Sequence, residues 1–151
     1  MEQQSKSGRS SGNRVSIMGC IVSIRSEFTL PRGQEIILTW DVTQQDPDTQ
    51  HTKREYIKIP QDARYDVSYE IKWKHTEPTT QPLQVTVYRV TKEYAFEALH
   101  HHVTVCVGNP INLKKKFPFD LLAGERICIG VKNLSTVDFT LMNCQLSLTQ
   151  I

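Results

Sequence analysis

The sequence predicts an all-β domain, an antiparallel sandwich or barrel of roughly seven to nine short strands. Apolar and polar residues alternate with period two along most of the chain, most strictly in YDVSYEIKW at residues 65–73. A helix of period 3.6 cannot place those apolar side chains on one face, whereas a half-buried strand does. β-Branched residues are abundant in the alternating segments, and turn-forming clusters of Pro, Gly, Asn and Asp separate them.

The first clear strand is predicted at residues 34–42. There Ile36, Leu38, Trp40 and Val42 share one face, while Ile37 lies among polar residues on the other. The remaining strands are expected at residues 65–73, 83–90, 103–107, 127–131 and 139–151. Only residues 92–101 are expected to hold a helical turn or a long connection.

Length and charge indicate one soluble globular domain. The chain has 151 residues, of which 38% are hydrophobic and 23% charged, with a formal net charge of +2. So small a net charge argues against a protein whose main work is binding the phosphates of duplex nucleic acid, which needs a concentrated basic surface. A local basic patch remains an alternative, but nucleic acid is not expected as the main partner. No apolar run approaches the roughly 18 residues of a membrane span, and no signal peptide is recognisable.

Two segments are expected. Residues 1–14 are polar and rich in Ser and Gln, which predicts a flexible N-terminal arm. The folded domain is predicted at residues 15–151. The four cysteines form no Cys-x-x-Cys motif and stand among apolar residues, which favours reduced core positions and leaves disulfides as the alternative. These cysteines are Cys20, Cys106, Cys128 and Cys144.

The run of three histidines at residues 100–102 is the first candidate ligand-binding feature. Consecutive strand residues alternate faces, so only His100 and His102 can point the same way. Two imidazoles without a third ligand do not make a zinc site, and no metal site is expected. An exposed junction that responds to pH is the alternative.

The only basic run, Lys114, Lys115 and Lys116, is the second candidate. Cations beside aromatic residues can bind an acidic glycan, an anionic headgroup or single-stranded RNA. The alternative is an exposed loop whose flanking Leu113, Phe117 and Phe119 are buried in the core.

An enzyme is not expected, and neither is a cofactor. The chain has no glycine-rich phosphate loop, no Gly-x-Ser-x-Gly elbow and no His-Glu-x-x-His motif. Its carboxylates are scattered over outward or loop positions, so no acid–base pair stands out. Asn133-Leu134-Ser135 fits the N-glycosylation pattern.

Two stretches carry a resemblance to a known superfamily. The first stretch runs from residue 28 to Trp73 and contains FTLPRGQ, IILTWD and IKIPQDARY. The second stretch is FDLLAGERI at residues 119–127, and a terminal strand follows it at residues 145–151. Both resemble the tumour necrosis factor and complement q-subcomponent globular heads, especially short members on viral, phage and spore surfaces. The glycine of Ala-Gly-Glu suits a tight hairpin turn. The chain departs from the pattern at Ala63, where the family usually has glycine, and it lacks the aromatic–glycine closing motif of the cytokine branch.

The resemblance implies a jelly-roll sandwich that assembles as a homotrimer, with one sheet about the threefold axis and loops that meet partners. It also implies a surface-displayed or extracellular location. Some strand faces carry more apolar side chains than one small sandwich needs to bury, which fits a subunit interface. The alternative is that these side chains pack under a loop. The candidates for that interface are Ile37, Tyr65, Tyr69, Trp73 and Tyr88.

The leading hypothesis is therefore a non-enzymatic, trimeric recognition or structural head that binds a receptor or glycan. The alternative is a viral jelly-roll coat or matrix subunit whose arm contacts nucleic acid through Lys6, Arg9 and Arg14, although packaging arms usually carry more basic residues. A carbohydrate-active enzyme on a sandwich scaffold is a third class, for which no carboxylate pair is a candidate.

Overall fold

Eleven β-strands make up the described part of the computed structural model, which comprises residues 19–45, 55–74, 81–106 and 111–151. No helix within these ranges is long and apolar enough to cross a membrane. The predicted arm at residues 1–14, with Lys6, Arg9 and Arg14, lies outside the described residues. The strands are β1 (Cys20–Ile24), β2 (Phe28–Leu30), β3 (Glu35–Ile37), β4 (Val42–Gln45), β5 (Ile57–Lys58), β6 (Ala63–Lys74), β7 (Gln81–Val90), β8 (Phe96–Cys106), β9 (Ile111–Leu121), β10 (Arg126–Asn133) and β11 (Phe139–Gln150).

The strands form two antiparallel sheets. Sheet A has the order β4-β1-β11-β6-β9, with β2 paired to β11, and sheet B has the order β3-β10-β7-β8, with β5 paired to β10. Most neighbours in each sheet are distant in sequence, as in a jelly roll. The predicted all-β jelly-roll sandwich is confirmed.

The core lies between the sheets and is built on β6. Its alternating side chains from Tyr65 to Trp73 are all buried, and their partners across the ladder on β11 include the buried Leu146 and Leu148. Sheet B supplies the facing layer, with buried Val85, Val87, Ile127, Ile129 and Val131. The period-two pattern thus marks the inner face of the sandwich correctly.

Residues 34–42, predicted as one strand, are divided between the two sheets. Strand β3 pairs with β10 in sheet B, and β4 pairs with β1 in sheet A. Between them Leu38 and Trp40 stay buried, and the Leu38 amide donates to the Ile129 carbonyl at 2.9 Å. The alternation persists because this segment crosses from one sheet to the other along the core.

Two predictions of irregular structure are wrong. Residues 92–101 hold a turn followed by the start of β8, because Phe96 and the residues after it continue the ladder with β7. The lysine run lies in β9, an 11-residue strand, and not in a loop. Pro118 is tolerated there because β9 is the edge strand of sheet A and pairs only with β6.

The turn between β9 and β10 agrees with the sequence. Gly124 has a φ of 89°, in the left-handed region that glycine adopts without strain. The Glu125 carboxylate accepts a hydrogen bond from the Leu122 amide at 2.8 Å and closes the turn.

Cys20, Cys128 and Cys144 are free and buried, as predicted. Burial raises the pKa of the Cys128 and Cys144 thiols to about 12, so both remain protonated at neutral pH. The side chain of Cys106 lies outside the described residues.

Asn133 is a structural residue, and its glycosylation pattern has no accessible acceptor. The side chain is fully buried, and its amide donates to the Leu30 carbonyl at 3.0 Å and to the Val137 carbonyl at 2.7 Å. Its oxygen accepts hydrogen bonds from the Ser135 amide and hydroxyl. Asn133 thereby joins β2 to the loop between β10 and β11.

Replacing Asn133 with Ala is expected to lower the free energy of unfolding by about 2–3 kcal/mol, because it leaves buried carbonyls without a donor. Urea denaturation measures the change. The matched control is Asn112→Ala, which removes an exposed side chain and is expected to change stability by less than about 0.5 kcal/mol. Equal effects of the two substitutions would contradict this role.

Candidate functional site

Three of the five predicted interface residues are core residues. Tyr65, Tyr69 and Trp73 are at most 2% exposed because their strand face packs against sheet B within one chain. The expectation that they need a second subunit to cover them is wrong. Burial also raises the pKa of Tyr69 to about 12.

The other two predicted interface residues, Ile37 and Tyr88, lie on the outer face of sheet B. Ile37 pairs with Gly130 of β10, and Tyr88 pairs with Cys128, two residues earlier on the same strand. The Tyr88 hydroxyl donates to Glu35 at 2.7 Å. Burial, and then this hydrogen bond, raise the pKa of Tyr88 to about 12.

Gly130 allows the Tyr88 ring to lie close against sheet B. A Cβ atom at this position would stand 2.8 Å from the ring and 2.7 Å from the Glu35 carboxylate. A larger residue here would have to displace the Tyr88 ring or the Glu35 carboxylate. The missing Cβ lets the ring lie close to the sheet, and the hydrogen bond to Glu35 restrains its hydroxyl end.

The Tyr88 ring contacts Phe96, and Tyr94 contacts Arg126. We call these four residues the aromatic platform: Tyr88, Phe96, Tyr94 and Arg126. Tyr94 and Phe96 are 52% and 49% exposed. Tyr88 and Phe96 meet edge to face, with centroids 5.7 Å apart. The Arg126 guanidinium lies 4.6 Å from the centre of the Tyr94 ring, a cation–π contact.

Tyr94 holds an unfavourable backbone conformation. Its φ is 65°, a left-handed value that glycine usually supplies in hairpin turns. The turn is fixed by hydrogen bonds from the Tyr94 amide to the Thr91 carbonyl and from the Thr91 amide to the Ala95 carbonyl, both at 2.9 Å. The strain costs about 1–2 kcal/mol. Strain that presents a half-exposed ring is typical of functional positions.

His100 and His102 point into the open edge of the sandwich, as their shared face predicts. Their ladder partners, Val87 and Val85, both face the core. The His100 ring stacks on Phe117 of β9 with centroids 3.8 Å apart, which brings the edges of both sheets together. His101 points the other way, with its Nδ1 2.9 Å from the Thr86 hydroxyl.

The lysine run is divided by the same alternation. Lys115 pairs with Tyr69 and so faces the sandwich edge, where it joins the histidines. Burial, Lys115 and His100 lower the pKa of His102. Within the described ranges, no group of three His, Cys, Asp or Glu residues could hold a metal ion.

Lys114 and Lys116 face outward from sheet A. Lys116 Nζ lies 4.0 Å from Asp66 Oδ2. Both lysines, together with Lys115 of the same edge strand, line a depression of about 450 Å³ whose walls also carry hydroxyl groups. Those hydroxyls belong to Ser68, Ser147 and Thr149. The five predicted ligand-binding residues therefore occupy two surfaces and not one.

Sequence reasoning missed Tyr94, Phe96 and Arg126. The sequence pattern of residues 92–101 predicts a helical turn or a connection, which does not place Phe96 beside Tyr88. Extending the alternation of residues 83–90 through a hairpin would have put Phe96 near Tyr88. The stacking of Arg126 depends on strand pairing that no local pattern reveals.

The lowered pKa of His102 predicts that the folded chain loses stability as the pH falls. Because its pKa is lowered in the folded chain, the unfolded chain, with a pKa near 6.5, binds the proton first as the pH falls. The free energy of unfolding should therefore decrease more between pH 7.5 and 5.5 in the wild type than in His102→Gln. Urea denaturation at both pH values measures this difference. An unchanged pH dependence in His102→Gln would refute the assignment.

No protein-family model and no curated protein sequence matches the chain. Solved structures do match. The globular domain of a zebrafish complement 1qA protein aligns with a TM-score of 0.57 at 12% identity, over 83% of this chain and 94% of that one. Eiger TNF from S. frugiperda aligns with a TM-score of 0.57 at 14% identity, over 88% of this chain and 93% of that one. Murine APRIL aligns with a TM-score of 0.53 at 9% identity, over 85% of this chain and 98% of that one. The chain therefore has the jelly-roll fold of these domains, and the predicted resemblance is confirmed for the fold.

Proposed function

We propose that the chain is a non-enzymatic, homotrimeric recognition or structural head domain that binds a receptor or glycan through exposed side chains. The proposal follows the fold that the chain shares with a complement 1qA globular domain, a TNF and APRIL. The single observation that carries it is the aromatic platform, in which Tyr94 and Phe96 remain about half exposed on a hydrogen-bonded hairpin.

The chemistry of the platform suits recognition. Aromatic residues and arginine are enriched where binding energy concentrates in protein interfaces. Aromatic rings of fixed direction offer contact area at little loss of conformational entropy. Arg126 adds charged hydrogen-bond donors, and its Nη2 already reaches the Tyr94 hydroxyl at 3.3 Å. A sugar or a receptor side chain with both apolar and acceptor groups fits such a surface.

The homotrimer is supported by the resemblance and by Ile37, a partly exposed apolar residue on the edge strand of sheet B. Ile37 stays the candidate for a subunit contact, since Tyr65, Tyr69 and Trp73 are buried in one chain and Tyr88 belongs to the aromatic platform. His100, His102, Lys114, Lys115 and Lys116 stay secondary candidates for ligand contacts.

Light scattering after size exclusion tests the assembly. We expect a particle of three times 17.4 kDa at micromolar concentration. Ile37→Asp should shift the mass toward the monomer, because it places a charge in an apolar contact. A monomeric wild type would refute the trimer, and a trimeric Ile37→Asp would remove Ile37 from its interface.

An array of immobilised glycans tests the glycan branch of the recognition proposal. Labelled wild-type protein should bind a subset of glycans, and Tyr94→Gly and Phe96→Ser should each weaken that binding at least about tenfold. Tyr94→Gly should leave the free energy of unfolding unchanged or raise it by about 1 kcal/mol, since glycine relieves the strain.

Val103→Ser is the matched control, because Val103 is 51% exposed on β8 but lies at the other end of that strand. Its binding should equal that of the wild type. Equal binding by all four proteins would exclude the platform as the recognition surface. An array without any bound glycan would exclude glycans and leave a protein receptor.

A further inference from the structure

A second, smaller depression lies on the outer face of sheet A, on the opposite side of the sandwich from the aromatic platform. Its volume is about 170 Å³. It lies over β1, β11 and β6 in the middle of the sheet. Apart from Cys144, its lining is polar: Ser23, Arg25, Glu70, Lys72, Asn143 and Gln145.

Ser23 provides the first indication of a ligand. The residue is only 4% exposed, and its Oγ has no hydrogen-bond partner among the described residues. A buried hydroxyl is rarely left unpaired, because it loses its hydrogen bond to water without replacement. Ser23 pairs with Gln145 across the β1–β11 ladder, which brings this hydroxyl beside a side-chain amide in the lining.

A β-bulge provides the second indication. The register between β11 and β6 shifts between Leu141 and Asn143, so that Met142 is an additional residue. Asn143 consequently pairs with Lys72, and both residues line the depression. Bulges often redirect a side chain next to a functional site.

The charge of the depression provides the third indication. Arg25 and Lys72 form no ion pair with a carboxylate of the described residues. Glu70 is the one carboxylate in the lining, and it accepts a hydrogen bond from the Asn112 amide at 3.0 Å. Two cations therefore face one carboxylate, and the lining is rich in hydrogen-bond donors.

We propose that this depression binds a small oxyanion, a phosphate or carboxylate group. The Arg25 guanidinium and the Lys72 ammonium supply charge-assisted hydrogen bonds, and the Ser23 hydroxyl donates a further bond to the same ligand. The Asn143 and Gln145 amides complete a ring of neutral donors. The volume admits one such group with a few attached atoms, and Glu70 reduces the affinity through its negative charge.

The first test uses inorganic phosphate and the full chain at pH 7. The melting temperature is measured as sodium phosphate replaces sodium chloride at constant ionic strength. A ligand that binds only the folded chain should raise it in a saturable way. A melting temperature that is flat, or that rises without saturation, would overturn the proposal.

Four substitutions then locate the site. Arg25→Gln and Lys72→Met should each weaken phosphate binding at least about tenfold, since each removes a charge-assisted bond. Ser23→Ala should weaken binding severalfold without lowering the melting temperature of the free protein, because it removes an unpaired hydroxyl. Glu70→Gln should strengthen binding severalfold, a gain that a folding defect would not produce.

Lys74→Met is the matched control, because Lys74 lies two residues from Lys72 on β6, pairs with Glu27 and lines neither depression. It should bind phosphate within about twofold of the wild type. A loss of phosphate binding in Lys116→Met with none in Lys72→Met would place the phosphate in the neighbouring depression that Lys116 lines, and would overturn the proposal. Tyr94→Gly should bind phosphate normally, so failure of the platform and failure of this site are distinguishable.

The source of the oxyanion is resolved by comparing ligands. Phosphate, acetate and N-acetylneuraminic acid present the same chemistry from a free ion, a simple carboxylate and an acidic sugar. Tighter binding of the sugar, with the same losses in Arg25→Gln and Lys72→Met, supports a carboxylate carried on a larger ligand. Tighter binding of phosphate supports a free or esterified phosphate. Binding of any of them that is insensitive to all four substitutions would refute the site.

Discussion

The packing of one face of β6 against sheet B is the constraint on which the rest of the structure depends. Tyr65, Tyr69 and Trp73 are large, and their burial commits the inner face of sheet A to the core. Removing such area from water is the main stabilising contribution in a domain of this size. Because strand side chains alternate, the polar residues between them must then face away from the core, where they form the outer surface of sheet A.

The two outer faces differ as a consequence. Sheet A is lined by hydroxyls, amides and charges around two depressions, whereas sheet B carries the aromatic platform next to the Tyr88–Glu35 hydrogen bond. A polar face suits small charged ligands, and an aromatic face supported by Arg126 suits a larger partner. The sandwich therefore places a polar face and an aromatic face on opposite sides of one core.

The local sequence pattern predicts much of the fold, but it predicts the candidate binding surfaces less well. Period two in residues 65–73 predicted both the strand and its buried face, and the shared face of His100 and His102 was correct. The prediction that Tyr65, Tyr69 and Trp73 form a subunit interface is wrong, because the pattern shows that a strand face is apolar but not which layer covers it. The lysine run concealed β9, since three consecutive charges on an edge strand carry little of the alternation that identifies a strand.

The sequence by itself determined the all-β class, the inner face of each central strand, the buried cysteines and the turn glycine Gly124. These depend on alternation, burial and backbone freedom, which act between neighbouring residues. Only the tertiary structure decided that Ser23, Lys72 and Asn143 share one depression, or that Arg126 lies on Tyr94. Those contacts join strands that are far apart in the chain, and their geometry depends on ladder register and on a bulge that no local pattern encodes.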